Sequence, residues 1–94
     1  MTTILKQKRL DILRLASIHG VSNVRVFGSA ARGAAGPSSD IDLLVRMDSG
    51  RSLLDLVGFG QDVEDLLGCK VDVVAEGGIS PYLVDRIYAE AVPL

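Results

Sequence analysis

Three short runs of β-branched and other apolar residues constrain this chain most: "NVRVF" at 23–27, "DIDLLVRM" at 40–47 and "CKVDVVAE" at 69–76. The first alternates like a half-buried strand, so Val24 to Phe27 is expected to be one. The second ends in a nearly continuous apolar stretch, the pattern of a strand covered on both faces. Around these runs the period becomes helical. Thr3 to about His19 reads as one helix, with Leu5, Ile12 and Ala16 on a shared face, Leu10 nearly opposite, and Gly20 as the stop. A second runs from Ser52, a capping residue with Asp55 in the capping-box position, to about Leu67. Its inner side is read as Leu53, Val57, Val63 and Leu67, with Gly68 ending it. Ser80 and Pro81 open a third, running to about Ala91. A short helical turn is expected after Ser29, and a loop rich in Gly, Ala, Pro and Ser from Gly33 to Ser39. The order α-β-(α)-β-α-β-α, without repeats or linkers, describes one α/β domain over residues 1–94. Gly58 and Gly60 fall inside the second helix, where each costs roughly 1 kcal/mol relative to alanine, and the sequence alone gives no reason for them.

With 94 residues, 48% of them hydrophobic, the chain can build a core. So short a chain buries a modest share of its surface, and completion by a partner is expected. A net charge of −2 and a pI near 5.2 argue against tight binding to long nucleic acid, which needs clustered positive charge. The single cysteine, Cys69, can form neither an internal disulfide nor a zinc cluster and reads as a small buried hydrophobe. No apolar run reaches the ~18 residues of a membrane span, and the charge-dotted N-terminus reads as a helix rather than a signal peptide. A cytoplasmic location is expected.

The chemistry concentrates in "VFGSAARGAAGPSSDIDLLV", Val26 to Val45. On a strand, residues i and i+2 project to one side, so Asp40 and Asp42 point together while Ile41 and Leu43 face the core. Two carboxylates this close repel unless something positive lies between them. For the pair alone two readings stand: solvated side chains at a strand entrance, or ligands of a hard divalent ion such as Mg²⁺. Asp72, inside the short apolar run "KVDVV", favours the second, because an unpaired carboxylate there is costly to bury. At the other end, Gly28 lets the backbone turn sharply. Ser29 then opens a helical turn whose free N–H groups and hydroxyl suit an anion, and Arg32 adds positive charge one turn on.

Gly28-Ser29, ten residues, then Asp40-Ile41-Asp42, with a third acid on a later strand, resembles the G-S-x10-D-x-D signature of the DNA polymerase β-like nucleotidyltransferases. Length and element order resemble their minimal branch, the MNT or MntA-like antitoxins. The resemblance spans nearly the whole chain, from about Ser22 to the last helix. It implies the palm-like nucleotidyltransferase fold, α/β (α+β) in class, with helices on a small mixed three-stranded sheet. It also implies that Gly28 and Ser29, with Arg32 nearby, hold the phosphates of ATP. Asp40, Asp42 and Asp72 would be the catalytic residues and the ligands of two Mg²⁺ ions, Asp72 also orienting or deprotonating an attacking hydroxyl. The implied partner is a HEPN-domain ribonuclease toxin, neutralised by transfer of AMP from ATP to one of its tyrosines. Two alternatives stand beside this: an antitoxin that only binds its toxin, and a small-molecule nucleotidyltransferase of the antibiotic-modifying type.

Other residues read as ordinary. His19 is expected to be a solvated residue at a helix end, Arg46 and Lys70 surface charge within possible reach of phosphate, and Tyr82 and Tyr88 partial core. Arg86 fits either surface charge or a partner contact.

Overall fold

The three expected strands form, and a fourth joins them. The computed structural model of the chain describes residues 3–31 and 40–94, so Arg32 and the loop expected from Gly33 to Ser39 lie outside the described residues. The strands are β1 (Val21–Phe27), β2 (Ile41–Met47), β3 (Val71–Ala75) and β4 (Val92–Pro93). They lie in the order β3-β2-β1-β4, with β1 antiparallel to both its neighbours and β2 parallel to β3.

The expectation of three strands is therefore corrected to four. β4 is two residues long and contains a proline, so no run of strand formers announces it. It sits at the sheet edge against Arg25 and Val26, where the N–H that Pro93 lacks has no neighbour to serve. Leu94 anchors it: its N–H donates to the Val24 carbonyl at 3.1 Å and its carbonyl accepts from Arg9 Nε at 2.7 Å. β1 also starts three residues early. Its register with β2 slips between Ser22 and Arg25 as Asn23 takes φ 51°, a left-handed conformation that asparagine tolerates well.

Among the described residues, five α-helices accompany the sheet: α1 (Thr3–Gln7), α2 (Arg9–Ile18), α3 (Gly28–Ala31), α4 (Leu53–Leu67) and α5 (Val84–Glu90). The single first helix of the sequence reading is interrupted at Lys8, although Lys8 N–H still reaches the Ile4 carbonyl at 3.0 Å. Leu5, Ile12 and Ala16 are buried as expected, and Leu10 is exposed. They pack with Val24 and Val26 of β1, Ile41, Leu43 and Val45 of β2, Val71 of β3, and α4. Alternation along the strands turns Asp42, Leu44 and Asp72 to the opposite face. The last helix begins regularly at Val84, later than Pro81, after a turn in which Leu83 N–H reaches the Ser80 carbonyl at 2.9 Å.

α4 buries a different stripe from the one expected. Val63 and Leu67 are inside, but their companion is Phe59, and Leu53 and Val57 are exposed. At about 100° per residue, Leu53 and Val57 lie roughly 80° and 120° around the helix from Val63, whereas Phe59 and Leu67 fall within about 40°. Gly58 now has a reason. A Cβ there would lie 3.0 Å from His19 Cε1, so the glycine makes room for that ring. His19, expected to be solvated, is instead partly buried between α2 and α4, with Nε2 2.6 Å from Asp62 Oδ2 and its ring edge-on to Phe59.

Candidate active site

Strand direction brings the motif residues to one end of the sheet. β1 finishes at Phe27, whose register partner on antiparallel β2 is Asp42. Parallel β3 begins at the same end, and there Asp42 pairs with Asp72. Residues in register on neighbouring strands share a face, so the two carboxylates stand side by side about one strand spacing, ~4.8 Å, apart at the backbone. Asp40 is exposed immediately before β2. The crossover through α4 is what makes β3 parallel to β2 and carries Asp72 back to this end.

Gly28 follows Phe27 and opens α3 with φ 71°. A Cβ at this position would stand 2.5 Å from Asp42 Oδ2, so the missing side chain is the space that the carboxylate uses. Ser29 belongs to the backbone of α3, while its hydroxyl, like Arg32, lies outside what the structure describes.

The electrostatics of Asp42 follow from this crowding. Burial, then the neighbouring Asp72 carboxylate, then that of Asp40, hold its carboxyl above the usual carboxylate range. A cation is the natural relief for such repulsion, and carboxylate oxygens such as those of Asp42 and Asp72 are the donor type that Mg²⁺ takes. Among the described residues, Asp40, Asp42 and Asp72 included, no group of three or more acidic, histidine or cysteine side chains stands close enough together to hold a metal ion.

Two hollows flank these acids. One, of about 390 Å³, lies on the β1 side and is lined by Phe27, Gly28, Asp42, Leu83 and the α5 residues Arg86, Ile87 and Glu90. The other, of about 330 Å³, lies on the β3 side, where Asp72 and Val73 meet Leu53, Val57, Gln61 and Glu64 of α4. Arg86 was left undecided by sequence reasoning. Its signal was the spacing of Leu83, Arg86 and Glu90, which repeats at helical period along one side of α5. Arg86 Nε is 3.6 Å from Glu90 Oε1. Arg46 pairs with Ser22 near the other end of β2, remote from the acids, whereas Lys70 precedes β3 at the site end. Tyr82 is exposed, and Tyr88 lies beneath the Arg25 guanidinium, 5.4 Å from ring centre to Cζ.

The nucleotidyltransferase domain family matches residues 6–94. The chain belongs to that family. This nucleotidyltransferase domain is 46% identical over 88 residues to "Putative protein adenylyltransferase MJ0435" of Methanocaldococcus jannaschii, a match covering 94% of this chain and 91% of that one. A solved structure described as a "putative minimal nucleotidyltransferase" superposes with a TM-score of 0.86 at 47% identity, covering 96% of this chain and 92% of that one. A toxin–antitoxin crystal structure with AMP-PNP shares the fold at a TM-score of 0.76 and 21% identity, covering 89% of this chain and 69% of its own. Among the described residues, no helix of this nucleotidyltransferase domain is long and apolar enough to cross a membrane.

Proposed function

We propose that this nucleotidyltransferase domain transfers AMP from ATP to a tyrosine of a cognate HEPN-type ribonuclease toxin and thereby acts as its antitoxin. The observation that carries the reading is the register of Asp42 against Asp72, at the strand end where Gly28 makes room for the Asp42 carboxylate. The adenylyltransferase name of the 46%-identical relative supports the transferred group. The toxin–antitoxin assembly with AMP-PNP, which shares the fold, supports the partner and the nucleotide.

In this reading Gly28 and Ser29 hold the β- and γ-phosphates at the start of α3, and Arg32 contributes positive charge toward them. The tyrosine hydroxyl oxygen attacks the α-phosphorus and forms the new O–P bond. The bond from the α-phosphorus to the bridging oxygen breaks, its electron pair leaves with pyrophosphate, and the hydroxyl proton passes to the Asp72 carboxylate. Mg²⁺ held by Asp40, Asp42 and Asp72 would supply charge neutralisation for the entering and departing oxygens.

The test is incubation with the HEPN partner, ATP and Mg²⁺, read by intact mass. AMP increments on the partner are expected with the wild-type chain, and their loss with Asp42→Asn. Neutralisation of the toxin without any increment, unchanged in Asp42→Asn, would assign the chain to the purely binding class of antitoxin.

A further inference from the structure

The hollow beside α5 lies on the face of the sheet that carries the carboxylates. Phe27 is the register partner of Asp42 and therefore shares its face. Arg25, two residues earlier on β1, points the same way, and its guanidinium lies 5.4 Å from the centre of the Tyr88 ring on α5. Two separate contacts thus place α5 over this face, and its Arg86 and Glu90 share one cavity with Gly28 and Asp42. Charge decides what that cavity needs before it can take a triphosphate. Asp42 and Glu90 both stand in its wall, and an anion entering between carboxylates is repelled unless cations meet it there. Arg86 is the one basic side chain among the described residues that line it. Arg25 shares the face but is already engaged, bonded to Glu76 and stacked over Tyr88.

We propose that Arg86 contacts the phosphate chain of the bound nucleoside triphosphate, turning from Glu90 to the phosphates when the hollow fills. The proposal rests on the nucleotidyl-transfer reading above and adds to it a residue outside the run from Gly28 to Asp72. Arg86 is held loosely enough to turn. Its Nε stands 3.6 Å from Glu90 Oε1, beyond hydrogen-bond length, and its side chain is 74% exposed. An exposed pair one helical turn apart contributes little. A phosphate, to which a guanidinium donates two parallel N–H bonds, is the stronger partner. The reach is short, because Gly28, where the reading puts the β- and γ-phosphates, belongs to the same cavity of about 390 Å³. In the transfer step the Arg86 charge then stands where negative charge collects on the departing pyrophosphate. The last helix is in this way a wall of the substrate site as well as a cover for the sheet.

The experiment titrates the full chain, in Mg²⁺, with two probes: AMP-PNP and inorganic tripolyphosphate. It compares the wild type with Arg86→Ala and Arg14→Ala. Arg14 is the control, because it is also 74% exposed and paired with an acid of its own helix, Asp11 at 3.4 Å, but belongs to α2, which packs on the opposite face. Arg86→Ala is expected to weaken both probes at least tenfold while melting within about 2 °C of the wild type, as a change at an exposed position should. Arg14→Ala should bind both probes as the wild type does. Unchanged affinity in Arg86→Ala, an equal loss in Arg14→Ala, an effect confined to AMP-PNP, or a loss that comes with a lower melting temperature would each overturn the phosphate contact. A wild-type chain that binds neither probe would overturn the nucleotidyl-transfer reading instead.

Discussion

At the scale of single residues, Asp42 and Gly28 show a site held at some expense to the fold. Because burial and its acidic neighbours raise the Asp42 carboxyl above its unfolded value, the ionised form at neutral pH destabilises the metal-free protein. Asp42→Asn removes that charge. Its melting temperature without Mg²⁺ should rise by about 2–4 °C, corresponding to on the order of 0.5 kcal/mol after solvent screening, while the proposed adenylyl transfer is lost. Gly28→Ala should fail on both counts. Its Cβ would meet Asp42 Oδ2 at 2.5 Å from a backbone at φ 71°, so a loss of about 1–3 kcal/mol is expected by denaturant titration, together with loss of nucleotide binding.

At the scale of elements, α4 holds two glycines whose replacement should act in opposite directions. Alanine at Gly60 meets only Val73 Cγ2, at 3.4 Å, so the better helix former should stabilise by about 0.5–1 kcal/mol. Alanine at Gly58 runs into a His19 ring already tied to Asp62 and should destabilise by about 1 kcal/mol despite the same helical gain. Thermal denaturation of the two variants side by side checks the difference in sign. The start of α4 also titrates. Asp55 Oδ2 accepts from Ser52 N–H at 2.9 Å, and that bond, assisted by Arg51, holds the Asp55 carboxyl below its ordinary value. A lowered carboxyl contributes stability that is present above its unfolded pKa and lost as pH falls through the folded value. Melting temperatures followed from pH 5 down to pH 2 should therefore fall less steeply in Asp55→Asn than in the wild type. The capping box itself was legible, since its two residues stand three apart in sequence, and so was the burial of Val63 and Leu67. Phe59 was not, because neighbouring Leu53, Leu54 and Val57 made a rival apolar stripe, and only the packing of α4 on the sheet selects between them.

For the whole molecule, closure of the sheet depends on its far edge. The Leu94 side chain is buried beside β4, so Leu94→Ala, which keeps the backbone bonds to Val24 and Arg9, should cost about 1.5–3 kcal/mol through lost burial, read as an earlier urea midpoint. That strand escaped the sequence reading because two residues, one of them proline, carry no periodicity. The strands bearing the acids were readable because alternation alone assigns Asp42 and Asp72 to the face away from Leu43 and Val73. Their pairing was not, since it depends on where α4 returns the chain. That return has a consequence for inheritance of the site. The stretch from Leu67 to Val71 acts as a ruler, and one residue inserted there would slide β3 by a step against β2. Its alternation would then invert, sending Asp72 toward Phe59 and Val71 into water. Length variation between α4 and β3 should thus be tolerated only in chains that have given up the chemistry, whereas loops away from this connection are free to drift.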